Sequence, residues 1–207
     1  MALTYTENER VTIPPIPFKP TLALPAGKTA VVVVDMQNDF VKAGGTLVVP
    51  DAAPTVAAIA ALLARARAAG VPVAYTQDTH LEGDQEWVIW PEHCRRGTWG
   101  WQIIDELAPL AGELVCEKAR YDGFYGTSLD HYLSRVWRVE HLVIVGTVSS
   151  ICVLHTAAAA GLRWFHVVVP ADATSALTDF DQALTLRQVS WLYLGDVVKS
   201  AADLQFI

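Results

Sequence analysis

Long apolar runs, basic clusters and paired cysteines are all missing from this 207-residue chain, and each absence removes a class of protein. No uninterrupted apolar stretch approaches the roughly 18–20 residues that span a bilayer, so no membrane-spanning helix is expected. There are only three cysteines, Cys94, Cys116 and Cys152, an odd number at unrelated spacings that does not make a disulfide framework. The chain opens without the charged-then-apolar order of a secretory signal, and with the cysteine usage this points to a reducing cytoplasm. Lysine and arginine total 15 against 22 acidic residues, for a net charge of −7. With no basic cluster longer than Arg95–Arg96, neither nucleic acid nor an anionic membrane is the expected partner. A small neutral or cationic molecule suits such a surface better. What the chain does have is a hydrophobic content of 52%, enough for one substantial core without a compositional break.

Five prolines fall within residues 1–28 (Pro14, Pro15, Pro17, Pro20 and Pro25), where neither helical nor alternating periodicity shows. That segment reads as an extended arm suited to packing across a neighbouring subunit, and residues 29–207 as a single domain. From Ala30 a rhythm begins. Val31–Val34 reads as a buried strand, Pro54–Ala69 as a helix closed by Gly70, and Val71–Thr76 as a second strand. Further strands are expected at Leu114–Cys116, Leu142–Val145, His166–Val169 and Asp196–Val198, with helices near 127–138, 150–161 and 179–194. Such alternation predicts an α/β fold of three layers, a six-stranded, mostly parallel sheet with helices on both faces. Ligands of these sheets bind beyond the carboxyl ends of the strands. Asp35, Asp78, Lys118 and the segment leading to Cys152 each lie at such an end, so four distant parts of the chain converge on one rim.

Cys152 follows a strand-to-helix turn, Gly146-Thr-Val-Ser-Ser150, with Ser149 or Ser150 as the expected N-cap and Gly161 as the helix stop. A thiol in the first turn of a helix faces unpaired amides whose partial positive charge favours thiolate. Taken singly, Cys152 also suits a small buried hydrophobe, Asp35 a helix cap and Lys118 a solvated lysine. Together they supply a nucleophile, a proton acceptor and a cation. Asp35 would take the thiol proton and pass it to a leaving amine while Lys118 supports the charges.

These three positions, with Asp35-Met-Gln-Asn-Asp-Phe40 and Gly146-Thr-Val-Ser-Ser-Ile-Cys-Val153 around them, resemble the motifs of the isochorismatase-like cysteine hydrolases, over about Ala30–Leu194. The resemblance implies that family's Rossmann-like fold and a thioester mechanism. In it Cys152 attacks an amide carbonyl, ammonia or an amine leaves, and water releases the acid. It also implies a cis peptide between Val148 and Ser149, aiming the Ser149 and Cys152 amides at the developing oxyanion. Ser150 departs from the acidic or amide residue of many relatives.

A second cluster narrows the reading. Asp78 and His80, one residue apart after a strand, can point the same way, and Glu86 and His93 follow within sixteen positions. Two imidazoles and two carboxylates make a ligand set for a divalent ion, zinc first, with iron or manganese also suited. The Asp-x-His pair and Trp90-Pro-Glu-His-Cys94 resemble the metal site of nicotinamidases, with Glu86 as the fourth ligand found in some of them. That resemblance implies a metal that binds the pyridine nitrogen of the substrate, and ring-flanking aromatics at Phe40, Trp90 and Tyr125. Trp99 and Trp101 are larger than the residues usual there. The expectation is therefore a metal-containing, homo-oligomeric amidohydrolase, dimer or tetramer, converting nicotinamide or a related small amide to the acid and ammonia. The alternatives are a metal-independent carbamoyl or ureido amidohydrolase, similar to N-carbamoylsarcosine amidase, and a non-catalytic binding protein on the same fold.

Overall fold

The four valines Val31–Val34 are wholly buried, as a strand covered on both faces requires. They belong to a computed structural model in which residues 13–207 are described; residues 1–12 of the expected arm lie outside the described residues. The strands are β1 (Leu22–Leu24), β2 (Thr29–Val34), β3 (Val73–Asp78), β4 (Leu114–Lys118), β5 (His141–Thr147), β6 (His166–Pro170), β7 (Thr174–Ser175), β8 (Asp196–Val198) and β9 (Leu204–Phe206). The helices are α1 (Asn38–Val41), α2 (Ala52–Ala68), α3 (Leu129–His131), α4 (Leu154–Leu162) and α5 (Asp179–Trp191). Among the described residues no helix is long and apolar enough to cross a membrane.

The main sheet runs β4-β3-β2-β5-β6-β8 with every neighbouring pair parallel. It has seven strands rather than the expected six, because β7 pairs with the carboxyl end of β5. Two residues are too short a run to leave an alternation in the sequence. Successive side chains of β2 go to opposite faces. Val31 and Val33 pack with Ile59, Leu62 and Leu63 of α2, whereas Ala30, Val32 and Val34 pack with Leu129 of α3, Ala157 of α4 and Leu186 of α5. Three layers result. Leu22–Leu24 and Leu204–Phe206 form a separate two-stranded parallel sheet, so this part of the arm pairs with its own chain.

From β2 the chain builds outward through β3 to β4, then returns to place β5 on the other side of β2. A crevice opens where the order reverses, at the carboxyl ends of β2 and β5. The pairing there is close. Gly146 sits opposite Val34 at φ +115°, and a Cβ on it would lie 2.1 Å from the Val34 carbonyl oxygen. Gly146→Ala is therefore expected to cost about 3 kcal/mol, from backbone strain together with the forced separation of the two central strands. Urea unfolding measures it; an unchanged midpoint would contradict the close approach.

Three local expectations need correcting. Gly161 does not stop α4, which continues through Leu162; it lies inside the helix where Tyr193 packs, 3.0 Å from where its Cβ would be. Neither Ser149 nor Ser150 is the N-cap, because the segment Ser149–Val153 winds as a π-helical turn that begins directly after Val148. The cis peptide joins Thr147 to Val148, one bond earlier than expected, since the turn starts where β5 ends.

Candidate active site

Asp35, Asp78 and Lys118 come to the crevice from three adjacent strands. Asp78 and Lys118 are cross-strand partners at the ends of β3 and β4, while Asp35 leaves β2 in the left-handed region, at φ +50°. The buried Lys118 Nζ lies 2.7 Å from Asp35 Oδ2, 3.1 Å from Asp78 Oδ1 and 3.5 Å from Cys152 Sγ. Thr76 completes the group by donating its hydroxyl to Asp35 Oδ1 at 2.7 Å. One ammonium thus serves two carboxylates and a thiol in a place where an unpaired charge would be very costly.

Burial decides how protons are held here. It pushes the Asp35 carboxyl up, against the opposing pull of Lys118 and Thr76. It also disfavours the Lys118 ammonium, yet Asp35 and Asp78 outweigh it and hold that proton well above the ordinary lysine range. The Cys152 thiol is pushed well up by burial, which Lys118 offsets only in part. A helix-start position favours thiolate, whereas burial of the sulfur works against it; the base expected from the sequence, Asp35, suits a thiol so placed.

Asp78 also faces a second group. Its Oδ2 lies 3.1 Å from His80 Nε2 and 3.3 Å from His93 Nε2, and Glu86 Oε1 lies 4.0 Å from His80 Nε2. Single donor atoms from Asp78, His80, Glu86 and His93 all fall within 4.8 Å of one another, and all four residues are buried. Each imidazole is oriented from behind, His93 Nδ1 against the Pro91 carbonyl at 2.7 Å and His80 Nδ1 against Asp84 Oδ2 at 3.0 Å. Nδ1–H donating outward leaves Nε2 turned to the cluster. Glu86 Oε2 is buried with no hydrogen-bond partner among the described residues, 3.7 Å from Arg120, and burial followed by the Asp78 charge raises its carboxyl. Burial likewise works against an ionised Asp78, but Lys118 and the two imidazoles hold it far below the usual carboxylate range. Convergent nitrogens, two acids and an orphaned oxygen fit a divalent cation.

Cys152, Asp78, Glu86 and His93 line one cavity of about 420 Å³ with Phe40, Leu47, Val49, Trp90, Tyr121, Val148, Ile151 and Leu177. Its lining is mostly apolar and aromatic with a few polar groups, the make-up of a small-molecule site. Phe40 stands 5.7 Å from the His93 ring, and Trp90 donates its Nε1–H to Tyr121 Oη at 3.1 Å. No lysine or arginine lines it among the described residues.

Residues 29–202 match the family model of the isochorismatase domain. The chain belongs to the isochorismatase-like hydrolase family. This hydrolase is 32% identical to the ureidoacrylate amidohydrolase RutB of Serratia proteamaculans, over 86% of its own chain and 83% of that protein. It superposes on the N-carbamoylsarcosine amidase of Thermoplasma acidophilum with a TM-score of 0.76 and 38% identity, covering 83% and 95% of the two chains. The pyrazinamidase of Pyrococcus horikoshii in complex with zinc gives 0.77 and 26%, covering 83% and 98%. Amide carbon–nitrogen hydrolysis is common to the names of all three, and the hydrolase is an amidohydrolase acting on a small-molecule amide.

The structure of the hydrolase brings Asp35, Lys118, Cys152, Asp78, His80, Glu86, His93, Phe40 and Trp90 into one neighbourhood, but not Tyr125. Tyr125 is 67% exposed and points away from the cavity, because the Asp122–Tyr125 turn sends Phe124 into the core and the next side chain outward. Its place is taken by Tyr121, three residues after Lys118, which the nicotinamidase likeness passed over. Nor do Trp99 and Trp101 reach the cavity. Trp99 is half exposed, and Trp101 donates Nε1–H to Thr79 Oγ1 at 2.9 Å while its carbonyl accepts from Gln37 and Gln77, which ties that loop to the strand ends. Cys94 is packed and wholly buried, its thiol pushed up by burial.

Proposed function

We propose that this amidohydrolase is a metal-containing hydrolase of neutral heteroaromatic carboxamides, nicotinamide and pyrazinamide being the type substrates. The observation that supports the reading is the shared cavity: Cys152 and three of the four donors, Asp78, Glu86 and His93, line the same largely apolar space, walled by Phe40, Trp90 and Tyr121 and without lysine or arginine among the described residues. Such a lining suits a flat, uncharged ring. Asp78, His80, Glu86 and His93 would hold zinc, or iron or manganese, whose Lewis acidity supplies an anchor for a ring nitrogen.

Asp35 takes the Cys152 proton as sulfur bonds to the amide carbon. Lys118 stabilises the carboxylate before transfer and the developing sulfur anion during it. The Val148 carbonyl accepts from the amides of Ile151 and Val153, and the Cys152 amide in the same turn would serve the tetrahedral oxyanion. The carbon–nitrogen bond breaks as Asp35 returns its proton to the leaving nitrogen, and ammonia departs. Asp35 then removes a proton from water, which attacks the thioester; the acid is released and Cys152 recovers its proton.

A second reading has the names of two relatives behind it, the RutB and N-carbamoylsarcosine amidases. Ureidoacrylate and N-carbamoylsarcosine are carboxylates at neutral pH and would enter a cavity lined by Asp78 and Glu86 without a lysine or arginine, where the bound cation alone could receive their charge. Ammonia release from the four compounds, assayed with zinc, iron or manganese restored, is expected to give kcat/KM about 100-fold or more higher for the two ring carboxamides. Turnover of the ureido acids alone would sink the proposal.

A further inference from the structure

Outside the cluster itself, one carboxylate grips two of the four donors. Asp84 Oδ2 accepts from His80 Nδ1 at 3.0 Å, while Asp84 Oδ1 accepts the backbone N–H of Glu86 at 2.9 Å at the start of the short turn Gln85–Val88. Arg120, on the loop after β4, places Nη1 3.1 and 3.2 Å from the two Asp84 oxygens and 3.7 Å from Glu86 Oε2. The loop Lys118–Tyr121 therefore holds the cluster segment three times, Lys118 at Asp78, Arg120 at Asp84 and Tyr121 at Trp90.

We propose that Asp84, clamped by Arg120, is a positioning residue that sets the affinity of the Asp78–His80–Glu86–His93 cluster for its divalent cation, an inference that rests on the metal reading above. Asp84 does not face the cavity. It acts through His80, keeping the ring proton on Nδ1 so that the Nε2 lone pair is presented inward, and through the Glu86 backbone, fixing where that carboxylate begins. A carboxylate behind the ring also makes Nε2 a better donor than a neutral acceptor would. Arg120 draws the Asp84 oxygens into one orientation, so both grips hold at once.

A merely structural role would be confined to the cap of the turn, and one substitution separates the two. Asp84→Ser keeps a cap oxygen for the Glu86 amide but is too short to reach His80. Zinc affinity, measured by competition with a chromophoric chelator, is expected to fall about 10- to 100-fold in Asp84→Ser, and Arg120→Gln to lose less. The absorption spectrum of the cobalt(II) form should change in the serine variant. Wild-type zinc affinity with an unaltered cobalt spectrum in Asp84→Ser would overturn the role of Asp84 alone. Wild-type affinity in Arg120→Gln, a change at a half-exposed side chain, would overturn the clamp even if the serine variant failed to fold. Wild-type protein that retains neither zinc nor cobalt would overturn the metal reading together with this one.

Discussion

Cys152→Ala protein is expected to release no ammonia from any amide, a loss of about 10⁴-fold or more in kcat, while folding normally and taking up metal as the wild type does. The separation follows from the geometry. Sγ touches Lys118 at 3.5 Å, but the four proposed metal donors belong to β3 and the stretch beyond it, and no hydrogen bond joins them to the sulfur among the described residues. Removing one sulfur atom from a side chain that is 6% exposed costs about 1 kcal/mol, too little to unfold a domain of ordinary stability. The kinetic loss is far larger because no other group can form the thioester; triads acting as a unit lose nearly all their acceleration when the nucleophile goes. Cys152→Ser sharpens the experiment, since its hydroxyl keeps the same neighbours but is a weaker nucleophile when its proton is held. Ammonia release by the alanine variant would eliminate covalent catalysis. So would labelling by a small thiol reagent that met Cys94 and Cys116 as readily as Cys152.

The second large effect is on stability. Lys118→Met leaves Asp35 and Asp78 buried without their common counter-charge, and is expected to cost about 3–5 kcal/mol along with activity. That is a third or more of a typical folding free energy. The coupling is the diagnostic. In the double variant Asp35→Asn/Lys118→Met one of the stranded charges is gone, so part of the loss should return, and the two substitutions should be non-additive by 1 kcal/mol or more. Strict additivity in urea unfolding would mean that Lys118 does not serve the two acids jointly. Activity should not return with stability in the double variant, because the base has been removed as well.

How far these groups could be read from sequence depended on where each one sits. Asp35, Asp78, Lys118 and Cys152 were legible because strand ends were: four valines before Asp35 and the run Leu142–Val145 before the Cys152 turn mark places where a parallel sheet brings distant residues together. His80, Glu86 and His93 were legible through residue type and spacing. Tyr121 was not, since a loop without periodicity gives no means of telling which of two tyrosines turns inward. The upward push on the Cys152 thiol was hidden for another reason. Its cause is the desolvation of the sulfur, a tertiary quantity, whereas a helix-start position works in the opposite direction. Asp84 and Arg120 each look like an ordinary surface charge, and only their meeting behind His80 gives them a part in the site. The two-residue β7 and the π-helical turn lie below the length at which a pattern can be read.

Of the four proposed metal donors, only Asp78 is borne by a strand of the main sheet. His80, Glu86 and His93 ride on one continuous stretch outside the sheet, pinned at its far end where Gln37 pairs with Ile103. Lys118 ends β4, Asp35 directly follows β2 and Cys152 sits in the turn after β5, so the spacing of the proposed triad is set where three strands of the main sheet end. Of the cavity lining only Glu86, Trp90 and His93 come from this stretch, so exchanging residues 79–104 would replace three of the four proposed cation donors and leave most of the wall, and the strand ends beneath it, in place.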